Sequence, residues 1–178
     1  MRIIGGKFRG RKLFTPTNDD IRPTADKVRE SLFNILGQYI EGTFFDVFGG
    51  SGAVGIEAYS RGADVTINDV NRKSIELIRK NVALVSNGEI KVINFDYKTA
   101  IRMQKSPFDF IFLDPPYKYD IASCVGEILK AGLMKEKSIL IYEHNEEKTT
   151  EIEGLVCFDS RKYGYCNLSF YRLKEKTE

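Results

Sequence analysis

Asp114, Pro115, Pro116 and Tyr117 close the apolar run FDFIFL (108–113). Proline has no N–H, and a residue that precedes proline is held extended. Asp114 and the two prolines therefore make a rigid turn. Its carboxylate and a proline carbonyl can both face outward as acceptors, and Tyr117 adds a flat ring. Two fixed acceptors and a ring suit an exocyclic amino group on a planar heterocycle. The lone pair of such a nitrogen is delocalised into the ring. Accepting hydrogen bonds from its N–H groups helps it pyramidalise and aims the lone pair, so that positioning supplies much of the acceleration. The proton leaves during or after transfer, so no strong base is required. Tyr117 would stack a base drawn out of its helix. A purely structural turn is the competing reading, because Asp-Pro and Pro-Pro also occur in loops for backbone reasons.

A second chemical feature is the loop DVFGGSGAVG, where Gly50, Gly52 and Gly55 spell GxGxxG. That pattern alone admits a nicotinamide dinucleotide, a nucleoside such as S-adenosylmethionine, or tight strand–helix packing. Asp46 sits inside the preceding strand. An acid there can accept from the ammonium of S-adenosylmethionine and would repel a pyrophosphate. Asp69 ends the next strand, where an acid can take both ribose hydroxyls; it or Asn71 could instead cap the following helix. Asp96 ends a third strand beside Tyr97, a place for an adenine amino group and ring.

Other chemistries find little support. His144 is the only histidine. It lies in YEHNEEK among surface-type residues and reads as solvated, which leaves no triad and no histidine-ligated metal. Cys124, Cys157 and Cys166 are scattered, with no CxxC pair, so neither a disulfide framework nor a cysteine zinc site is expected. No metal is expected at all. The chain has no apolar run of signal-peptide or membrane-span length and reads as cytoplasmic. Net charge is +2, yet residues 1–12 carry Arg2, Lys7, Arg9, Arg11 and Lys12 without one acid. Such a glycine-spaced basic arm fits a nucleic-acid contact, or simply a solvated terminus.

The elements that must position these residues follow from hydrophobic period. At 178 residues the chain suits one domain, able to bury roughly 70% of its unfolded surface. The first ~20 residues read as an extension with a short hairpin around GGKFRG. RPTADKVRESLFNIL reads as a helix capped by Thr24, with Val28, Leu32, Ile35 and Leu36 on one face and Phe33 at its edge. Strands are expected at 43–48, 64–69, 90–95, 108–113 and 138–144. Helices are expected at 53–62, 71–85, 97–103 and 121–131, and the C-terminal part reads as a hairpin pair. This alternation implies βαβ units: a mostly parallel seven-stranded sheet with helices on both faces and an antiparallel C-terminal edge.

RIIGGKFRGRKL, IRPTADKVRESLFNIL, DVFGGSGAVGIEAYSRGA and FLDPPY occur in that order. Together they resemble the bacterial 16S rRNA guanine-N2 methyltransferase family, over Arg2 to about Tyr117. The resemblance implies a Rossmann-like class I methyltransferase domain over 21–178, with an RNA-contacting extension over 1–20. It implies S-adenosylmethionine as cofactor and S-adenosylhomocysteine as product. Phe48, Gly49, Gly50, Ser51 and Gly52 would line the cofactor's amino-acid end. Asp69, with Val70 beside it, would hold the ribose, and Asp96 with Tyr97 the adenine. Asp114 to Tyr117 would be catalytic. The implied substrate is one guanine of 16S rRNA in the small ribosomal subunit or a late assembly intermediate, met by a monomer. Arg22 joins the five arm cations as an RNA contact. The chain departs from the family in having Asp69-Val70-Asn71 where Glu-x-Asp is usual, and FGGSG where FAGSG is common, a mild change.

The nearest alternative is a DNA amino methyltransferase acting on adenine N6 or cytosine N4. Such enzymes usually carry a separate target-recognition region, for which this chain has no room. A nicotinamide oxidoreductase leaves FLDPPY without a task. A non-catalytic RNA-binding module leaves both motifs without one.

Overall fold

The computed structural model describes residues 1–16, 26–116, 118–146 and 150–175. The strands are β1 (Thr43–Asp46), β2 (Asp64–Asn68), β3 (Lys91–Ile93), β4 (Phe108–Leu113), β5 (Met134–His144), β6 (Leu155–Tyr163) and β7 (Cys166–Leu173). The helices are α1 (Asp26–Leu36), α2 (Ala53–Ser60), α3 (Arg72–Val82), α4 (Tyr97–Arg102) and α5 (Ile121–Lys130). Every expected strand and helix is present, with ends displaced by a few residues. The Thr24 cap proposed for α1 lies outside the described residues.

One seven-stranded sheet runs β3-β2-β1-β4-β5-β7-β6. β1 to β5 pair in parallel, while β7 pairs antiparallel to both β5 and β6. Alternate side chains of each strand supply two buried layers. Phe44, Ile67, Phe112 and Ile141 pack with α1, α2 and α3 on one face. Phe45, Val47, Leu113 and Tyr142 pack with α4 and α5 on the other. Phe33, expected at the helix edge, is fully buried and stacks on Phe44.

Residues 1–14 form a narrow hairpin, with an Arg2–Lys12 bridge and Ile3 N–H donating to the Arg11 carbonyl at 3.0 Å. Ile3 and Leu13 are buried against the domain. The hairpin lies along α2. At its open end Ser51 Oγ approaches Met1 Sδ, and at its tip Lys7 N–H donates to the Ser60 carbonyl at 2.7 Å. Gly6 makes that tip, with φ 74° and no room for a Cβ, which would lie 1.9 Å from the Ser60 oxygen.

Buried charge holds this arm in place. Glu57 of α2 is 1% exposed. It accepts from Ile4 N–H (2.8 Å), Gly5 N–H (2.7 Å) and Arg61 Nε (2.9 Å). Arg29 of α1, fully buried, faces Glu57 at 3.6 Å and donates to the Arg2 carbonyl at 2.5 Å. The arm is thus joined to both helices through one ion network.

His144 does not sit in solvent as its sequence context implied. It ends β5 with its ring buried, stacked on Tyr142 at 4.7 Å, and Nε2 lies 2.8 Å from Ser169 Oγ. Strand alternation turns it, with Tyr142, toward the protein; the polar residues that follow it misled the reading. Burial pushes its pKa down.

Candidate active site

The sheet order reverses between β1 and β4, the switch point beyond whose carboxyl strand ends ligands bind in open α/β sheets. The acids singled out in the sequence converge on this rim. Asp46 ends β1, Asp69 follows β2, Asp96 follows β3 and Asp114 follows β4.

Asn68, which sequence reasoning passed over, ties these strand ends together. It is 1% exposed. Its Nδ2 donates to the carbonyls of Val47 and Phe95, both at 3.0 Å, and its Oδ1 accepts from Phe95 N–H at 3.1 Å. One amide therefore fixes the exits of β1, β2 and β3 relative to one another. Its only signal in sequence is a polar residue in the last position of an apolar strand.

The glycine loop is shaped by contact as well as by backbone. Gly50 and Gly52 have φ of 56° and 80°, a region that disfavours side chains. A Cβ on Gly49 would lie 2.4 Å from Ile67 Cγ2, and one on Gly55 would lie 2.7 Å from Ile67 Cδ1. The glycine at 49, where the family commonly has alanine, is therefore matched to Ile67 and is not a mild change in this chain. Ser51 is buried, and its carbonyl accepts from Asn81 Nδ2 at 3.0 Å.

Asp46 is 1% exposed. Its Oδ2 accepts from Gly55 N–H at 3.2 Å, while Oδ1 is buried with no hydrogen-bond partner. Burial pushes its pKa up to about 7, with the charges of Asp69 and Glu143 adding to the effect and the Gly55 bond opposing it. A buried acceptor without a donor is costly, and a cofactor ammonium would supply that donor. The residues present therefore fit S-adenosylmethionine. The raised pKa also sets a stability prediction. Between the unfolded carboxyl's pKa of 3.8 and about 7, the unfolded chain ionises before the folded one, so stability falls as pH rises through that window. Asp46→Asn removes this loss. Its melting temperature without cofactor should exceed that of the unaltered protein by a margin that grows from pH 4 to pH 7 and is constant above.

Asp69 accepts from Gly50 N–H (2.9 Å, Oδ2) and Asn71 N–H (2.8 Å, Oδ1), so it braces the glycine loop. Asn71, not Asp69, caps α3, accepting from Lys73 N–H. The Ser74 hydroxyl also bonds to Asp69, which leaves about one of the four acceptor sites of the carboxylate for a ribose hydroxyl. Burial raises the Asp69 pKa. Val70 is exposed beside it. Asp96 caps α4, with Oδ1 accepting from Thr99 N–H at 3.1 Å and Oδ2 from Thr99 Oγ1 at 2.6 Å. Those bonds hold its pKa down.

In the Asp114 turn, the Pro116 carbonyl accepts from Tyr119 N–H at 2.9 Å. The Pro115 carbonyl is thus the better candidate for an outward acceptor. Tyr117 and Arg22 lie outside the described residues. Tyr119, not anticipated, packs its ring with Phe48 and Tyr97, the three centroids being 5.6 to 5.9 Å apart. Rings from the loops after β1, β3 and β4 thus meet at the rim, where a heterocycle can stack. Tyr142 is no base here: burial, then the charges of Glu146 and Asp114, push its phenol up to about 12.

A family model described as conserved hypothetical protein 95 matches residues 1–172. The ribosomal RNA small subunit methyltransferase D of Escherichia coli K12 is 36% identical over 148 residues, 82% of this chain and 75% of that protein. The chain belongs to the bacterial 16S rRNA guanine-N2 methyltransferase family. The Haemophilus influenzae methyltransferase D is 35% identical over 156 residues, covering 83% of this chain and 79% of its own. Among solved structures, Escherichia coli yhhF superposes with a TM-score of 0.86 at 28% identity, covering 98% of both chains. Thermus thermophilus TrmN shares the fold, with a TM-score of 0.68 at 18% identity over 83% of this chain and 48% of its own. Membership agrees with the sheet order, the glycine loop and DPPY, and makes the chain a class I methyltransferase.

Proposed function

We propose that this chain methylates the exocyclic N2 amino group of one guanine in 16S rRNA, with S-adenosylmethionine as donor and S-adenosylhomocysteine as product. The observation that carries the reading is the buried, partnerless Oδ1 of Asp46 beside the glycine loop, on the rim that Asp114 shares. When bound, the cofactor supplies a methyl group on a sulfonium. Asp46 takes its ammonium, Phe48 to Gly52 line its amino-acid end, Asp69 accepts from its ribose, and Val70, Asp96 and Tyr97 flank its adenine. Asp114 and the Pro115 carbonyl accept from the two amino hydrogens of the guanine and so orient the nitrogen lone pair. Pro116 and Tyr117 complete the catalytic turn, with the Tyr117 ring against the base. No metal takes part.

Residues 1–20 serve as an RNA-contacting extension on a methyltransferase domain over 21–178, with Arg2, Lys7, Arg9, Arg11, Lys12 and Arg22 meeting phosphates. Among the described residues, Arg2 donates to the Gly10 carbonyl, Arg11 to the Leu84 carbonyl, and Lys7 Nζ lies 5.3 Å from the centre of the Phe8 ring. The hairpin tip stands at the far end of α2 from the glycine loop, where Lys7 and Arg9 line a cleft of about 690 Å³ with Tyr39 and Gln38. RNA that touched both would run the length of α2, about 12 Å. Neutralising Lys7, Arg9 and Lys12 together should weaken RNA binding and reduce its logarithmic salt slope by about 2, at roughly 0.7 per phosphate contact. An unchanged slope would remove the arm from the footprint.

The enzyme is read as a cytoplasmic monomer that meets the small subunit or a late assembly intermediate. Incubation with methyl-labelled S-adenosylmethionine and unmodified small subunits, followed by nucleoside analysis, tests the whole reading. One N2-methylguanosine per 16S chain is expected. A parallel incubation with unmodified DNA tests the alternative: label on its adenine or cytosine, with none on the small subunit, would favour the DNA amino methyltransferase reading instead.

A further inference from the structure

β5 brings one more carboxylate to the rim. Phe112, Leu113 and Tyr142 fix the local register: Phe112 pairs with Ile141 and Leu113 with Tyr142 in parallel β4 and β5. The next residues along are Asp114 and Glu143. Neighbouring strands are about 4.8 Å apart, and residues at matching positions share a face. Phe112 and Ile141 lie in the same buried layer with α1, α2 and α3. Asp114 follows the last residue of β4, while Glu143 is the next-to-last residue of β5, paired with Leu168 of β7, so the two continue those rows to the carboxyl end of the sheet. Asp46 belongs to that face too, through Phe44, and the Glu143 charge is close enough to act on it. Glu143 is half-buried and accepts from Cys166 Sγ at 3.3 Å. A carboxylate has about four acceptor sites, so a base N–H can be accepted alongside bonds made within the protein.

Two neighbouring carboxylates can accept from two neighbouring donors. Adenine sets its amino group beside N1, an acceptor, and cytosine sets its own beside N3, also an acceptor. Guanine alone sets a ring N–H, N1–H, beside its amino group. We propose that Glu143 selects guanine by accepting from N1–H while Asp114 accepts from the adjacent N2 amino group. A carboxylate at this position meets the ring nitrogen of adenine or cytosine lone pair to lone pair, which is rejection as well as attraction. The role rests on the function proposed above and adds to it the group that reads the base.

The test uses 16S RNA ligated to carry either guanine or 2-aminopurine at the mapped target and reconstituted into small subunits. 2-Aminopurine keeps the amino group that is methylated but presents N1 as an acceptor. The full-length protein should prefer guanine by about 10- to 100-fold in kcat/KM. In Glu143→Gln the side-chain amide can turn its N–H toward N1, so the preference should collapse or invert, with 2-aminopurine turnover gained. S-adenosylmethionine binding, measured by calorimetry at pH 8.5 where Asp46 is ionised, separates this change in base choice from any effect at the cofactor site, since the Glu143 charge also reaches Asp46. Equal use of both bases by the unaltered protein, or an unchanged ratio in Glu143→Gln, overturns the role. Should the variant fail to fold, the comparison of the two bases with the unaltered protein still decides. Failure of the unaltered protein to methylate guanine N2 at all would instead defeat the functional reading, so the two failures are distinct.

Discussion

Asp114→Ala should lower methyl transfer to the small subunit by about a thousandfold or more, the scale set by removing a fixed group aimed at the reacting centre. S-adenosylmethionine binding should change little. The turn that holds Asp114 is stiffened by Pro115 and Pro116 and closed by the Tyr119 N–H bond to the Pro116 carbonyl, so the backbone should survive the loss of the carboxylate. The remaining acceptor, a backbone carbonyl, can hold one amino hydrogen but cannot by itself aim the lone pair. Single-turnover rates with saturating cofactor separate this effect from binding. Near-normal transfer would take Asp114 out of the chemistry and leave DPPY as a structural turn.

Glu57→Ala should be the most damaging single change to stability. It removes the buried carboxylate that faces Arg29, which keeps only Asp26 (2.9 Å) as an ion-pair partner, removes the ion-pair partner of Arg61 and leaves the N–H groups of Ile4 and Gly5 without their acceptor. Removing one side of a buried ion pair costs about 3–5 kcal/mol. In a domain of this size that lowers the melting temperature by roughly 10 °C, at about 2–4 °C per kcal/mol. Glu57→Gln keeps an acceptor oxygen for one N–H and should lose less. The damage should also spread to RNA binding, because the basic hairpin is anchored through this carboxylate. Equal melting curves for Glu57→Ala and the unaltered protein would mean that the arm is held by Ile3, Leu13 and its bonds to Ser60 and Asn81 without help from this carboxylate.

Much of this architecture was readable from period and punctuation. The run FDFIFL gave β4 to the residue, and the switch from alternating strands and helices to two bare strands foretold the antiparallel edge. The rim acids were legible because each follows an apolar run. What escaped were groups whose importance depends on partners far along the chain. Glu57 sits in an otherwise apolar helix, and nothing local says that it will meet Ile4 and Gly5 across more than fifty residues. Asn68 looked like a strand end, yet it bridges three strands. His144 was judged by its sequence neighbours, whereas strand alternation decided its burial. Tyr119 lies just past the motif, in a place where chain direction after two prolines cannot be read from residue type.

Asp46 is central to the proposed site, its unsatisfied oxygen being the seat of the cofactor's ammonium. Calorimetry of S-adenosylhomocysteine binding from pH 5.5 to 8.5, in buffers of different ionisation enthalpy, tests this most directly. With the carboxyl's pKa near 7 in the free protein, binding should expel a proton below that pH. Affinity should therefore rise by about tenfold per pH unit toward pH 7 and flatten above it, a dependence lost in Asp46→Asn. Affinity that is indifferent to pH, with no proton released and no change in Asp46→Asn, would contradict the site as described.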